Sequence, residues 1–247
     1  LMNIHATAVV SNKAVIGEDV KIGPFTIIHE NVEISNNTVI EGFCEIGVSN
    51  HLSNGKKLYI GENSHIRSHS IFYEGSIFLE SLLTGHRVTV RENIKAGKNF
   101  QIGTLSDLQG HSEIGDYVRL HSNVHIGQNS KIGNFVFVYP YVVFTNDPTP
   151  PSNVCIGPIV EDYAQIATMS VLLPGIRVGR HALVGAGAVI SKDVKAYGLA
   201  VGNPGRQIKD VRDIKQRGSD DSHYPWPNNF SRGMPWSEEG YEAWSKE

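Results

Sequence analysis

Two histidines four residues apart, His121 and His125, have the type and spacing best suited to chemistry in this 247-residue chain. Asp107 stands eighteen residues before His125, and Tyr139 stands eighteen after His121. A carboxylate lying beneath an imidazole fixes its tautomer and raises its basicity, which is how a general base is usually held. Asn146 and Asp147 follow at the start of a Pro-rich segment. A lone outward histidine reads first as solvated surface. The pair beside an inserted segment is what singles these two out. His111, His86, His65 and His69 are weaker candidates, and His5, His29, His181 and His223 read as surface residues.

Whether such residues meet depends on the elements that carry them. From Ile4 every sixth residue is aliphatic: Val10, Ile16, Ile22, Ile28, Ile34, Ile40 and Ile46. The beat resumes at Ile60 and Ile66, is ragged through Phe72, Phe78 and Thr84, and runs clean from Val90 to Phe144. It returns from Val160 to Ile190. The residue four places after a beat is small or β-branched, as at Ala8, Val20, Thr26, Ser64, Ser106 and Ala188. Neither a helical nor a simple strand period produces this pattern. Each hexapeptide makes one flat side with its aliphatic residue inward, and three sides close a triangular turn of eighteen residues. Turns stack about 4.8 Å apart as parallel sheet, and stability comes from nearest-neighbour stacking. Glycine follows many beats, as at Gly17, Gly23, Gly61 and Gly103, which suits a corner with unusual dihedrals. The expected fold is all-β, a parallel β-helix in the form of a triangular prism. A sandwich of short strands would show alternation and irregular turn spacing instead.

The eighteen-residue turn stacks Asp107 under His125 and Tyr139 over His121. Positions either side of an inward residue face outward. His121 and His125 then flank one corner, giving an expected polar cluster with Asp107, Tyr139, Asn146 and Asp147.

Composition is that of a globular chain with a formal charge of −3, which gives no footprint for nucleic acid. Cys44 and Cys155 lie far apart in no metal-like spacing. With no signal peptide and no long apolar run, the expectation is a cytoplasmic protein with no membrane partner.

Two loops interrupt the beat, a polar one at 47–59 and a Pro-rich one at 145–159. Long loops leaving a rigid scaffold are often functional. The repeat domain is expected over 3–205, with a C-terminal extension over 206–247. Residues 207–217 are charged and fit a short helix. Beyond them the tail has no repeat, and Trp226, Trp236 and Trp244 favour a strap onto the prism or a neighbouring subunit over disorder.

The repeating unit of an aliphatic residue, often glycine, then a small residue resembles the hexapeptide-repeat acyltransferase superfamily over residues 3–205. Periodicity does not give handedness, and crossovers are generally right-handed. The resemblance implies a left-handed coil and a homotrimer. Ala200 to Arg206 (AVGNPGR) resembles the terminal Gly-Asn-Pro motif of acetyl-CoA-dependent members. TGHRVTVREN at 84–93, IGTLSDLQG at 102–110 and TNDP at 145–148 resemble 3-N-acetyltransferases of dTDP-3-amino-3,6-dideoxyhexoses. That resemblance implies acetyl-CoA as donor, a nucleotide sugar as acceptor, and a place in surface polysaccharide biosynthesis. It implies His121, Asn146 and Asp147 around the sugar, with Gln128 as a polar contact, and no metal. In some such enzymes no side-chain base operates and the cofactor sulfur takes the proton. CoA would lie between subunits, its pantetheine arm near Ala167, Gly185 and Ala186, with Lys192 and Arg206 toward its phosphates and Asn203 and Pro204 in the Gly-Asn-Pro motif beside it. Acyl transfer from a thioester needs an aimed nucleophile, a proton acceptor and oxyanion donors, but no nucleophilic cysteine.

Three other readings compete. An acyl carrier protein-dependent UDP-sugar acyltransferase of lipid A type shares the fold and the opening IHATAV stretch at 4–9. A γ-type carbonic anhydrase would use histidines for zinc between subunits. A non-catalytic binding module would release no thiol.

Overall fold

Most hexapeptides contribute a strand of only two residues followed by a four-residue corner, as in Lys21–Ile22 and Ile27–Ile28. The second strand residue points inward and is buried, and so is the fourth residue after it. The computed structural model describes residues 3–246; Leu1, Met2 and the last residue of the extension lie outside the described residues. Three sheets of twelve, ten and nine strands form the faces of a prism; their strands run parallel, each pairing with its neighbour one coil on, except the last strand of the twelve, which is antiparallel. The first face runs from Asn3–Ile4 to Gly198–Val201, the second from Val9–Val10 to Val189–Ile190, and the third from Val15–Ile16 to Arg177–Val178. The coil is left-handed. The preference for right-handed crossovers rests on strand twist, and two-residue strands accumulate little of it.

The ragged stretch of the beat is regular in the structure. Phe72, Phe78 and Thr84 all point inward, and the two phenylalanine rings meet edge to face at 5.5 Å. Buried hydroxyls satisfy the corner backbones, as buried polar groups must be satisfied. Ser64 Oγ donates to the Gly61 carbonyl at 2.7 Å and accepts from the Leu82 N–H at 3.2 Å. Ser70 repeats this with Arg67 and Val88.

Apart from Gly47 (φ 88°), the glycines after the beats do not serve the dihedrals expected of them. The left-handed residue of each corner is the third after the beat, for example Phe25 (φ 56°), Asn37 (φ 58°) and Asn63 (φ 57°). The glycine is required by space. A Cβ on Gly61 would lie 2.4 Å from the Leu79 carbonyl carbon, and one on Gly23 would lie 2.5 Å from the Gly42 nitrogen. Successive coils touch there, backbone to backbone.

Both inserted loops leave the prism at the corner between the second and third faces. The first departs after Glu45–Val48 and rejoins at Leu58–Ile60; the second lies between Val143–Phe144 and Ile159–Val160. The first loop lies back along this edge. Asn50 Nδ2 donates to Glu92 at 2.8 Å, Ser53 Oγ to Glu74 at 3.0 Å, and Asn93 Nδ2 to the Leu52 carbonyl at 2.9 Å.

The short helix expected over 207–217 is not formed. Arg206–Asp210 is instead a strand, antiparallel to Gly198–Val201, and a single 3-10 turn follows at Val211–Asp213. The last rung of the first sheet presents unpaired backbone groups, and this strand covers them. The only α-helix among the described residues is Tyr241–Trp244.

The tail is a strap on its own prism. At the corner between the third and first faces, Tyr117, Phe135, Tyr163, His181 and Tyr197 stack ring on ring, with centroids 5.4, 4.9, 4.6 and 4.9 Å apart. Trp226 and Trp236 bury themselves against this ladder and Phe137. The Trp226 indole donates to the Tyr163 carbonyl at 2.9 Å, and the Tyr224 hydroxyl to Gln165 at 2.9 Å. His181, expected at the surface, is 3% exposed inside the ladder, and its Nδ1 has no hydrogen-bond partner. A histidine in a column of large aromatics is a ring to stack before it is a polar group.

Candidate active site

The corner between the first and second faces carries both leading histidines. His121 follows Leu120 at the end of a first-face strand, and His125 opens the second-face strand His125–Ile126. Asn123 supplies the left-handed turn between them (φ 59°). The Ser106 hydroxyl pins this corner from the coil below, donating to the His121 carbonyl at 3.0 Å and accepting from the Val124 N–H at 3.2 Å.

Asp107 pairs in register with His125, and its Oδ2 lies 3.0 Å from the imidazole Nδ1. Gln109, two residues on and facing the same way, donates to the same oxygen at 2.7 Å. Burial pushes the Asp107 carboxyl up, but the hydrogen bonds from His125 and Gln109 outweigh it and hold the group below the usual carboxylate range. An ionised Asp107 assigns the proton to Nδ1 and leaves the Nε2 lone pair free. Both side chains stay part-exposed, so an incoming group can reach them. Gln109 was not singled out in the sequence, though its spacing from Asp107 places it on the same face.

His121 has a different environment. Tyr139 stacks on it with centroids 4.8 Å apart, and desolvation lowers its pKa. Burial raises the Tyr139 hydroxyl. His121 also stands at the rim of a cavity of about 420 Å³ between the first face and the strap, lined by Arg67, Arg119, Phe137, Phe230 and Arg232. That cavity was not visible in the sequence, because Arg232 and Phe230 reach it from the far end of the chain. A larger groove of about 860 Å³ runs along the third face past Ile77, Ile114 and Ile159, away from these histidines.

The expected six-residue cluster is divided. His121 with Tyr139, and His125 with Asp107, share the first corner. Asn146, Asp147 and Gln128 lie just past the far end of the second face, three or four residues further along the chain than the level of His125, or about 10 Å. Among the described residues no hydrogen bond joins them to either histidine. Asn146 Nδ2 lies 3.3 Å from Cys155 Sγ, which in turn lies 3.5 Å from Gln128 Oε1. Asp147 organises its own loop, accepting from the Thr149 and Ser152 N–H groups at 3.0 and 2.8 Å and from the Ser152 hydroxyl at 2.6 Å. The Ser152 hydroxyl is the main cause that lowers its pKa.

Ala167 and Gly185 continue the column of His121 and Tyr139 up the first corner, linked by the Ala167 N–H to the Val184 carbonyl and the Gly185 N–H to the Ala200 carbonyl. Asn203 and Pro204 sit in the reversal just above, held by Gly205 N–H to Val189 O at 2.8 Å. Ala186 and Arg206 are exposed close by, while exposed Lys192 stands one corner away, where the second face ends. No group of three or more His, Cys, Asp or Glu among the described residues could hold a metal ion, and no helix is long and apolar enough to cross a membrane.

Comparison with known proteins bears on this geometry. Residues 13–47 match the family of bacterial transferase hexapeptide (six repeats). An acyl-[acyl-carrier-protein]–UDP-N-acetylglucosamine O-acyltransferase of Rhizobium johnstonii is 31% identical over 209 residues, covering 82% of this chain and 68% of the relative. The chain belongs to the hexapeptide-repeat acyltransferases. The bifunctional protein GlmU of Listeria welshimeri is 26% identical over 216 residues; the match covers 84% of this chain and 43% of GlmU. This acyltransferase chain thus spans less than half of that relative's length. A crystal structure of Arabidopsis UDP-N-acetylglucosamine acyltransferase superposes with a TM-score of 0.68 at 19% identity, covering 96% of this chain and 85% of the other, and so shares the fold.

Proposed function

We propose that this acyltransferase moves an acyl group from a phosphopantetheine thioester to a hydroxyl of a nucleotide-linked amino sugar. The observation that carries it is the pair of His125 and Asp107. A neutral amine attacks a thioester without prior deprotonation, whereas a hydroxyl needs a base. A histidine whose Nδ1 is held by a carboxylate, on a side chain that stays part-exposed, is built for that need. The relatives named for transfer to UDP-N-acetylglucosamine support the acceptor class.

In this reading the sugar hydroxyl oxygen attacks the thioester carbonyl carbon as its proton passes to His125 Nε2. The C–O bond forms, and Asp107 stabilises the imidazolium. Collapse of the tetrahedral intermediate breaks the C–S bond, and the departing thiolate takes the proton back. Ala167, Gly185 and Ala186 leave room for the pantetheine arm above the corner, and Asn203, Pro204 and Arg206 stand at its end. The catalytic unit in this proposal is 3–205, with 206–247 as an extension, acting as a cytoplasmic homotrimer whose product enters surface-glycan synthesis.

The second reading is N-acetyl transfer from acetyl-CoA to a dTDP-3-amino-3,6-dideoxyhexose, favoured by Asn146 and Asp147 at the opening of the Pro-rich loop. A panel of acetyl-CoA and acyl-carrier-protein donors against UDP- and dTDP-linked sugars, followed by thiol release, separates the two. Release only with a hydroxyl acceptor supports the first; release only with a 3-amino sugar supports the second. No release with any pair sinks both.

A further inference from the structure

The strap does more than cover aromatic rings. Residues 230–233 arch over the first face and roof the cavity of about 420 Å³ in which Arg67, Arg119 and Arg232 converge. No carboxylate lines it. Elsewhere in the chain Arg91, Arg177 and Arg212 each pair with an acid. Among the described residues the three cavity arginines have no such partner. Arg119 is 8% exposed, and it is fixed by its hydrogen bond to the Gly233 carbonyl at 2.9 Å and by another to the Asn99 carbonyl. Burial lowers its pKa to about 10, which leaves it charged at neutral pH. A buried guanidinium without a counter-charge is unfavourable unless an anion completes the site.

The floor has a shape as well as a charge. Arg67, Gly85, Gly103 and His121 occupy the same position on four successive coils, each the first residue after the beat. Gly85 and Gly103 line the floor between Arg67 and His121 without side chains of their own, over a run of about 14 Å at the spacing of stacked strands. That length takes two adjacent phosphoryl groups and part of a nucleoside. Planar guanidinium forks suit such oxygens.

We propose that this cavity binds the diphosphate of the nucleotide-linked acceptor, with Arg232 of the strap closing over it. The assignment rests on the acceptor class proposed above. It also orients the substrate. A sugar leaving the cavity past His121 crosses the four-residue corner and arrives at His125.

The donor's phosphates share this chemistry, so the test must tell the two apart. Equilibrium binding of UDP, dTDP and CoA to the full chain would be measured calorimetrically for the wild type, Arg67→Gln and Arg232→Gln, after checking that each variant keeps the wild-type melting temperature. The Arg232 side chain is exposed, so its substitution spares the core. We expect a nucleoside diphosphate to bind the wild type and each substitution to weaken it roughly tenfold or more, with CoA affinity changed less than twofold. Unchanged nucleotide affinity in both variants overturns the proposal, as does a wild type that binds neither UDP nor dTDP. Loss of CoA affinity alone overturns it by giving the cavity to the donor. Nucleotide binding that weakens as expected, with no acyl product from any donor, leaves the cavity standing and removes the acyl-transfer reading instead.

Discussion

Asp107 lies one coil beneath His125, and its carboxylate meets the imidazole Nδ1 at 3.0 Å while Gln109 holds the same oxygen at 2.7 Å. The parallel register of the second face creates this contact, because it superposes residues eighteen apart. If His125 is the base, His125→Ala lowers kcat by about 10²–10⁴-fold and leaves the acceptor KM little changed. Asp107→Asn lowers kcat less and alters the pH profile of kcat, since the imidazolium loses its counter-charge. Steady-state kinetics across pH checks both.

The strap is anchored by Trp236, which is fully buried against Phe135 and Trp226. Trp236→Ala should weaken strap docking by about 3–5 kcal/mol, the usual cost of removing a large buried ring. Hydrogen exchange would then show lost protection around Trp226 and Tyr224, with the solenoid strands unchanged. A uniform loss across the prism would mean that the strap is integral to the coil.

Burial between Tyr163 and Tyr197 lowers the His181 pKa to about 4, and the nearby Arg180 charge adds to the shift. The unfolded chain takes up this proton near pH 6.5 and the folded chain does not until about pH 4. Stability from this group is therefore complete above the unfolded value and is lost as pH falls through that window. The loss is on the order of 3 kcal/mol for a shift of this size. His181→Phe should flatten the fall in urea midpoint between pH 6.5 and pH 4, and an unchanged slope would contradict this account.

The corner glycines separate space from dihedral preference. Gly61→Ala places a methyl against the Leu79 backbone and should cost about 1–3 kcal/mol. Asn63→Gly, at the left-handed position two residues on, should change stability by less than about 1 kcal/mol. Urea midpoints of the two variants make the comparison, and the reverse order would restore the dihedral explanation.

The prism was legible in the sequence because one inward residue per hexapeptide must be apolar for every coil, so the fold repeats its own evidence. Register followed from the same arithmetic, and it placed Asp107 under His125 and Tyr139 over His121. What the sequence hid depended on other distances. Gln128 falls only three residues after His125, and Asn146 stands one coil above Gln128, yet both lie at the other end of the face, joined to each other through Cys155. Arg232 is far from Arg67 and Arg119 in the chain and meets them only because the strap folds back. His181 carries no local sign of burial, since its neighbours in the stack are sixteen and eighteen residues away. The charged stretch at 207–217 suited a helix by composition, but the open end of the first sheet drew its first residues into a strand.

The central claim is that His125 deprotonates a sugar hydroxyl. The most direct measurement is NMR of the product formed from a thioester donor and a nucleotide-linked amino sugar, with wild type and His125→Ala side by side. The account predicts an ester on a sugar hydroxyl oxygen from the wild type and no ester from the variant in the same time. An amide formed at equal rate by both would contradict it.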